Sequence, residues 1–149
     1  MKKVIALIFL IQLFSSLHAE DKPTKFKRTG IYGEFGIGDY VHLDLNLEHY
    51  FLNKKYWHLG ARTGYGQYAA WSGDGGSEAL LTLSGLLGKK YHFLELQTGG
   101  ILLGGSKENN TSSIYPFVSG GYTLRYKHFL FRANVNTMIA VNAGLGFVF

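Results

Sequence analysis

The sequence predicts an all-β fold: an eight-stranded antiparallel up-and-down transmembrane β-barrel. Three observations point to it. First, residues 41–51 alternate, with Val41, Leu43, Leu45, Leu47 and Phe51 on one parity and His42, Asp44, Asn46 and Glu48 on the other. A strand sends successive side chains to opposite faces, so one face is almost wholly aliphatic and the other carries carboxylates. Second, eight such segments follow one another, most of them about 9–13 residues long, which suits a tilted membrane strand. Third, tight basic connections alternate with long polar ones, as short periplasmic turns alternate with longer outer loops. Residues 41–51 alone would equally suit a soluble barrel with its aliphatic face inward. The rest of the chain favours the inverted arrangement, with apolar side chains to lipid and polar ones inside.

The first nineteen residues read as a separate object. Lys2 and Lys3 precede an apolar stretch, residues 4–14, and Leu17-His18-Ala19 supplies a small-residue exit. This is the layout of a secretory signal peptide, and the apolar run is too short for a spanning helix. Cleavage is expected after Ala19, leaving about 130 residues, enough for one domain. The absence of cysteine excludes disulfides, thiol chemistry and lipid attachment at an N-terminal Cys. Without Lys2 and Lys3 the 15 basic residues fall to 13 against 10 acidic ones, a net of +3. That modest excess, on an exported chain, does not suggest a nucleic-acid partner.

Residues 20–28 are polar and basic, contain Pro23, and read as a periplasmic lead-in to a barrel over 29–149. Residues 29–38 set Ile31, Phe35 and Ile37 against Tyr32 and Glu34. Asp39-Tyr40 turns the chain into 41–51, and Asn53-Lys54-Lys55 turns it again. Residues 56–68 set Trp57, Leu59, Ala61 and Tyr65 against His58, Gly60, Arg62, Gly64 and Gly66. Residues 69–78, with Ser72-Gly73-Asp74-Gly75-Gly76, have loop composition. In 79–88, Leu81, Leu83 and Leu87 oppose Thr82 and Ser84, and Lys89-Lys90 leads into 91–103, where Leu94 and Leu96 oppose Glu95 and Gln97. A second polar loop, 104–113, precedes 114–126, with Pro116 near its start where a missing N–H is tolerated. Lys127-His128 connects to 129–137, in which Phe129, Phe131, Ala133 and Val135 oppose Arg132, Asn134 and Asn136. The chain ends on 141–149, where Val141, Ala143, Leu145, Phe147 and Phe149 share one parity.

The short connections repeat a theme: Lys54-Lys55-Tyr56-Trp57-His58, Lys89-Lys90-Tyr91-His92-Phe93 and Tyr126-Lys127-His128-Phe129. One end of the barrel therefore collects lysines beside aromatics, a composition fitted to lipid head groups and an interfacial girdle. Solubilising the turns would explain the same lysines. The opposite end, with Asp39, Asp74, Glu78 and Glu108 against Lys107, reads as net negative.

The closing alternation through Phe147 to Phe149 resembles the C-terminal strand of bacterial outer-membrane barrels. Residues 86–95, Leu-Leu-Gly-Lys-Lys-Tyr-His-Phe-Leu-Glu, and 129–133, Phe-Leu-Phe-Arg-Ala, resemble stretches of a poorly characterised family of small outer-membrane β-barrel proteins. The resemblance implies outer-membrane location, a barrel fold, and Phe147 and Phe149 as a signal for the barrel assembly machinery. It implies no established activity. Residues 138–140 depart from the family in being a short last outer connection.

With the apolar parity facing lipid, the interior receives Glu34, Asp44, Glu48 and Glu95 together with Arg62, Arg125 and Arg132, and His42 and His58 are placed to join them. Buried charges must be paired, and an eight-stranded barrel is about wide enough for side chains to fill it. A salt-bridged plug without a wide pore is therefore expected, with Glu48 and Arg62 on adjacent strands. Paired acids also suit acid–base catalysis or proton conduction, but a plug accounts for them without a substrate entrance. No histidine pair has metal-ligand spacing, no Ser-His arrangement suggests a hydrolase, and the glycine strings lack the Lys-Ser/Thr of a phosphate loop. No catalytic residue, metal or cofactor is expected.

The expected function is non-enzymatic: a monomeric outer-membrane barrel contacting lipid, serving envelope structure or surface interaction through outer loops 69–78 and 104–113. Trp71 is the candidate loop contact. The alternatives are a lipid-modifying barrel enzyme of the lipid A deacylase or acyltransferase type, and a soluble periplasmic barrel that holds an apolar ligand.

Overall fold

Alternating side chains and short turns produce a single closed sheet. The structure, a computed structural model, describes residues 26–105, 112–137 and 141–149. The leader 1–19 with its cleavage site, residues 20–25 of the lead-in, the middle of the second loop (106–111) and the connection 138–140 lie outside the described residues. Eight strands are found among the described residues: β1 (Thr29–Ile37), β2 (Tyr40–Asn53), β3 (Trp57–Ala70), β4 (Gly75–Lys89), β5 (His92–Leu103), β6 (Ser113–Tyr126), β7 (Phe129–Asn136) and β8 (Val141–Val148). Each pairs antiparallel with the next. β1 also pairs with β8, from Gly30 opposite Val148 to Ile37 opposite Val141. Thr29 and Phe149 exchange backbone hydrogen bonds of 2.9 and 3.2 Å at the end of this seam. Closure removes the free edges that would otherwise recruit another chain.

The aliphatic parity faces outward. Leu43, Leu45, Leu81, Leu96, Leu145 and Phe147 are all exposed, Leu81 by 67%. The opposite parity is buried inside, including Glu34, Glu48, Arg62 and Arg132. A one-residue slip would exchange the two sets, so the sequence pattern fixes the register strongly. At the end of β2 the register shifts between Tyr50 and Leu52. This bulge leaves Phe51 and Leu52 both facing outward while Tyr50 points in.

Interior space is shared between large side chains and glycines on neighbouring strands. Gly60 lies opposite Tyr50, Gly144 opposite Arg132 and Gly146 opposite Tyr32. A Cβ on Gly60 would stand 2.8 Å from the Tyr50 Cα, a contact that real side chains do not make. Apolar clusters close the two ends of the lumen. Leu80, Ile101 and Phe117 pack at one end, and Tyr50, Leu86 and Phe93 with Phe26 at the other.

Two sequence expectations need correction here. The loop at 69–78 is much shorter, because β3 continues to Ala70 and β4 begins at Gly75, leaving residues 71–74 outside the strands. Glycine-rich residues 75–78 can pair because the ladder uses backbone groups, and Gly76 leaves room for the Tyr68 ring beside it. Ala70 N donates to Asp74 O at 2.6 Å, and Gly73 takes φ 95°, a conformation that suits glycine. Glu78 is accordingly inside the barrel, and not on a charged rim. Residues 26–28, just ahead of β1, pack onto the barrel. The Phe26 ring stacks on His58 at 3.7 Å, and Tyr50 N donates to Arg28 O at 2.8 Å.

Candidate functional site

The seven charged residues singled out from the sequence come from six strands and meet in the lumen. Arg62 of β3 spends its planar fork on three partners. Its Nη2 donates to Glu34 Oε1 at 2.7 Å, its Nε to Asn46 Oδ1 at 2.9 Å and its Nη1 to Gln97 Oε1 at 2.9 Å. Although Arg62 is the register partner of Glu48, its ion pair is with Glu34. Glu48 is taken instead by Arg125 Nη1 and by Arg132, whose Nη1 lies 3.5 Å from Glu48 Oε2. Arg132 also faces Glu34 Oε2 at 3.8 Å and contacts Glu95 through Nη2.

Glu95 is further held by the Ser84 hydroxyl at 2.7 Å, the Gln97 amide at 2.7 Å and the Thr123 hydroxyl at 2.6 Å. Tyr32 offers its ring to two of the three buried arginines, with Arg132 Cζ 4.7 Å and Arg62 Cζ 5.4 Å from its centroid. These contacts fill the middle of the lumen with mutually compensating charge. Burial of that kind is tolerated only when the groups pair closely.

Asp44 forms no ion pair with the arginines, although it lies beside Glu34 at the edge of their network. It shares His42 Nδ1 with Glu78: the nitrogen is 2.7 Å from Asp44 Oδ2 and 2.6 Å from Glu78 Oε1. The interior acids are therefore Glu34, Asp44, Glu48, Glu78 and Glu95, against Arg62, Arg125 and Arg132. Sequence reading counted one acid fewer, because Glu78 was assigned to a loop. It did place His42 and His58 on the inward parity, and both are buried.

Trp71 is 68% exposed on the 71–74 connection, and its indole N–H donates to Gly38 O at 2.8 Å across to the β1–β2 turn. Phe147 and Phe149 lie on the outer surface beside the seam. At the opposite end Arg125 reaches Lys27 O at 2.7 Å and lies over the Phe26 ring, so the residues before β1 close that mouth.

Fold and interior together define a closed antiparallel barrel of eight strands with an apolar exterior and an ion-paired lumen. No protein-family model matches the chain, and no curated protein matches its sequence. Among solved structures the chain is similar to the crystal structure of Ail, the attachment invasion locus protein of Yersinia pestis. The two share 13% identity at a TM-score of 0.47, over 81% of this chain and 95% of that one.

Proposed function

We propose that the chain is a monomeric, non-enzymatic outer-membrane β-barrel of the small bacterial kind, spanning the bilayer as an ion-paired plug. In this reading it serves envelope structure or surface interaction through residues 71–74 and 104–113. The observation that carries the reading is the pairing of an aliphatic outer wall with a charged interior, the reverse of a water-soluble barrel. A soluble carrier of apolar ligands would need the Leu and Val parity inside. The basic turns around Lys54, Lys55, Lys90 and Lys127 then face the periplasm, and the Trp71 side lies at the cell surface, where its exposed ring offers the contact. The terminal Phe147 and Phe149, outward beside the seam, are available to the assembly machinery before closure.

Membrane fractionation followed by gel electrophoresis with and without boiling tests this reading. A detergent-resistant envelope band that shifts on heating is expected. A soluble periplasmic band with no heat shift would overturn it.

A further inference from the structure

We propose that His42, Asp44 and Glu78 form a binding site for a divalent cation of the zinc class inside the barrel, below the end that carries residues 71–74. The backbone explains why the three side chains meet. His42 and Asp44 are two residues apart on β2 and share its inner face. Gly66 of β3 is the register partner of both Asp44 on β2 and Glu78 on β4. With no side chain at Gly66, the two carboxylates can close over it. Gly36 gives the His42 ring similar room on the other side.

The donor set converges on one nitrogen. His42 Nδ1 lies 2.7 Å from Asp44 Oδ2 and 2.6 Å from Glu78 Oε1. A single ring nitrogen holds at most one proton, so it cannot give both carboxylates a full hydrogen bond. Zinc placed among the three atoms at ordinary bond lengths would need them to open to roughly 3.4 Å apart. Glu34 also offers a ligand atom within 4.8 Å of those of His42 and Asp44.

Two further observations point to a cation. Among the described residues no lysine or arginine forms an ion pair with Asp44 or Glu78, since the three interior arginines engage Glu34, Glu48 and Glu95. Two carboxylates with a neutral imidazole carry the charge that one divalent ion neutralises. In addition, Asp44 Oδ1 and Glu78 Oε2 are buried with no hydrogen-bond partner, on side chains at most 5% exposed, so each carboxylate keeps a second oxygen available to an ion. Unpaired buried polar atoms call for a partner; the arginine half of the lumen has them too, on Arg125 and Arg132, but there the charges are already ion-paired. Asn142 Oδ1 is likewise unpartnered and borders the same Gly36 as His42, placing an acceptor near the ring's second nitrogen. An imidazole with two carboxylates suits zinc better than calcium or magnesium, which prefer all-oxygen shells.

The test is titration of the refolded full barrel in detergent with zinc chloride, by calorimetry and by metal analysis after dialysis. One zinc per barrel is expected, together with a zinc-dependent rise in the urea midpoint, because the site exists only in the folded state. His42→Gln and Glu78→Gln should each abolish both effects while the heat shift on gels persists, whereas replacing the outward-facing His49 should leave binding intact. Substoichiometric zinc on the wild-type barrel would overturn the proposal and leave a shared proton as what holds the cluster together. Equal binding by the Glu78→Gln barrel would also overturn it. Should either variant fail to fold, a wild-type midpoint unmoved by zinc would be decisive against the site.

Discussion

Arg132 is the residue on which the lumen's charge balance turns, and Arg132→Met tests that role. The side chain is fully buried and faces Glu34, Glu48 and Glu95. Its removal does not affect the three acids equally. Glu34 keeps Arg62 and Glu48 keeps Arg125, but Glu95 loses its only ion-pair partner among the described residues. Breaking a buried pair from one side typically costs about 3–5 kcal/mol, because a charge is left behind without compensation. Methionine replaces part of the lost volume, so the destabilisation should come mainly from the stranded carboxylate.

The second variant identifies that carboxylate. Adding Glu95→Gln to Arg132→Met should recover about 2 kcal/mol, within the range of coupling between contacting residues. With its oxygen in the Oε1 position the amide still accepts from Ser84 and Gln97, and its NH2 can donate to the Thr123 hydroxyl oxygen. Adding Glu48→Gln instead should recover less, since it removes the partner of Arg125. Urea unfolding of the refolded barrel, followed by fluorescence of Trp57 and Trp71, measures each difference. A loss below about 1 kcal/mol for Arg132→Met would place the pair in the weak class of solvated surface bridges and refute the reasoning. Equal rescue by Glu48→Gln and Glu95→Gln would refute the assignment of the stranded charge.

Other perturbations probe the wall, the packing and the turns. Leu45→Arg, midway along β2 on the outer face, should cost about 2–4 kcal/mol in lipid, the range for a cation near the bilayer midplane, as read from folding titrations in vesicles. Gly60→Ala should cost about 1–3 kcal/mol by overpacking against Tyr50. Gly33→Ala, whose Cβ would meet nothing closer than 3.9 Å, should leave the urea midpoint unchanged. Lys90 adopts φ 60° in the β4–β5 turn, so Lys90→Gly should relieve strain and raise stability by about 0.5 kcal/mol, visible as a small increase in the same midpoint.

The wall of the barrel was legible because it depends on a period of two that any strand must show. Leu43, Leu45 and Leu47 against Asp44, Asn46 and Glu48 fix both the element and its register. The interior was legible as a set of residues but not as a set of partners. Arg62 pairs in register with Glu48, yet its guanidinium reaches around the lumen to Glu34, because a long side chain inside a narrow cylinder can meet strands that are not its neighbours. How the lead-in packs was not legible for a related reason. Phe26 looks like an isolated aromatic in a polar stretch, and only closure of the barrel creates the mouth beside His58 and Arg125 that it fills. Glu78 was lost to composition: Ser-Gly-Asp-Gly-Gly has turn chemistry, but glycines beside a bulky Tyr68 can also continue a strand.

That last misreading matters most for what the barrel holds. With Glu78 in a loop, four acids face three arginines and a salt-bridged plug nearly balances by itself. With Glu78 inside, the arginines are used up by Glu34, Glu48 and Glu95, and the remaining acids gather on His42 over the bare backbone of Gly66. The lumen is thus two electrostatic systems stacked along one axis. The lower one is self-compensating, because planar guanidiniums can bridge several carboxylates at once. Among the described residues the upper one has no lysine or arginine ion-paired to it, so its positive charge comes from protons or from a bound ion. Stability of the two halves should therefore respond differently to conditions: the arginine half to substitution of its members, and the His42 half to what the surrounding solution supplies.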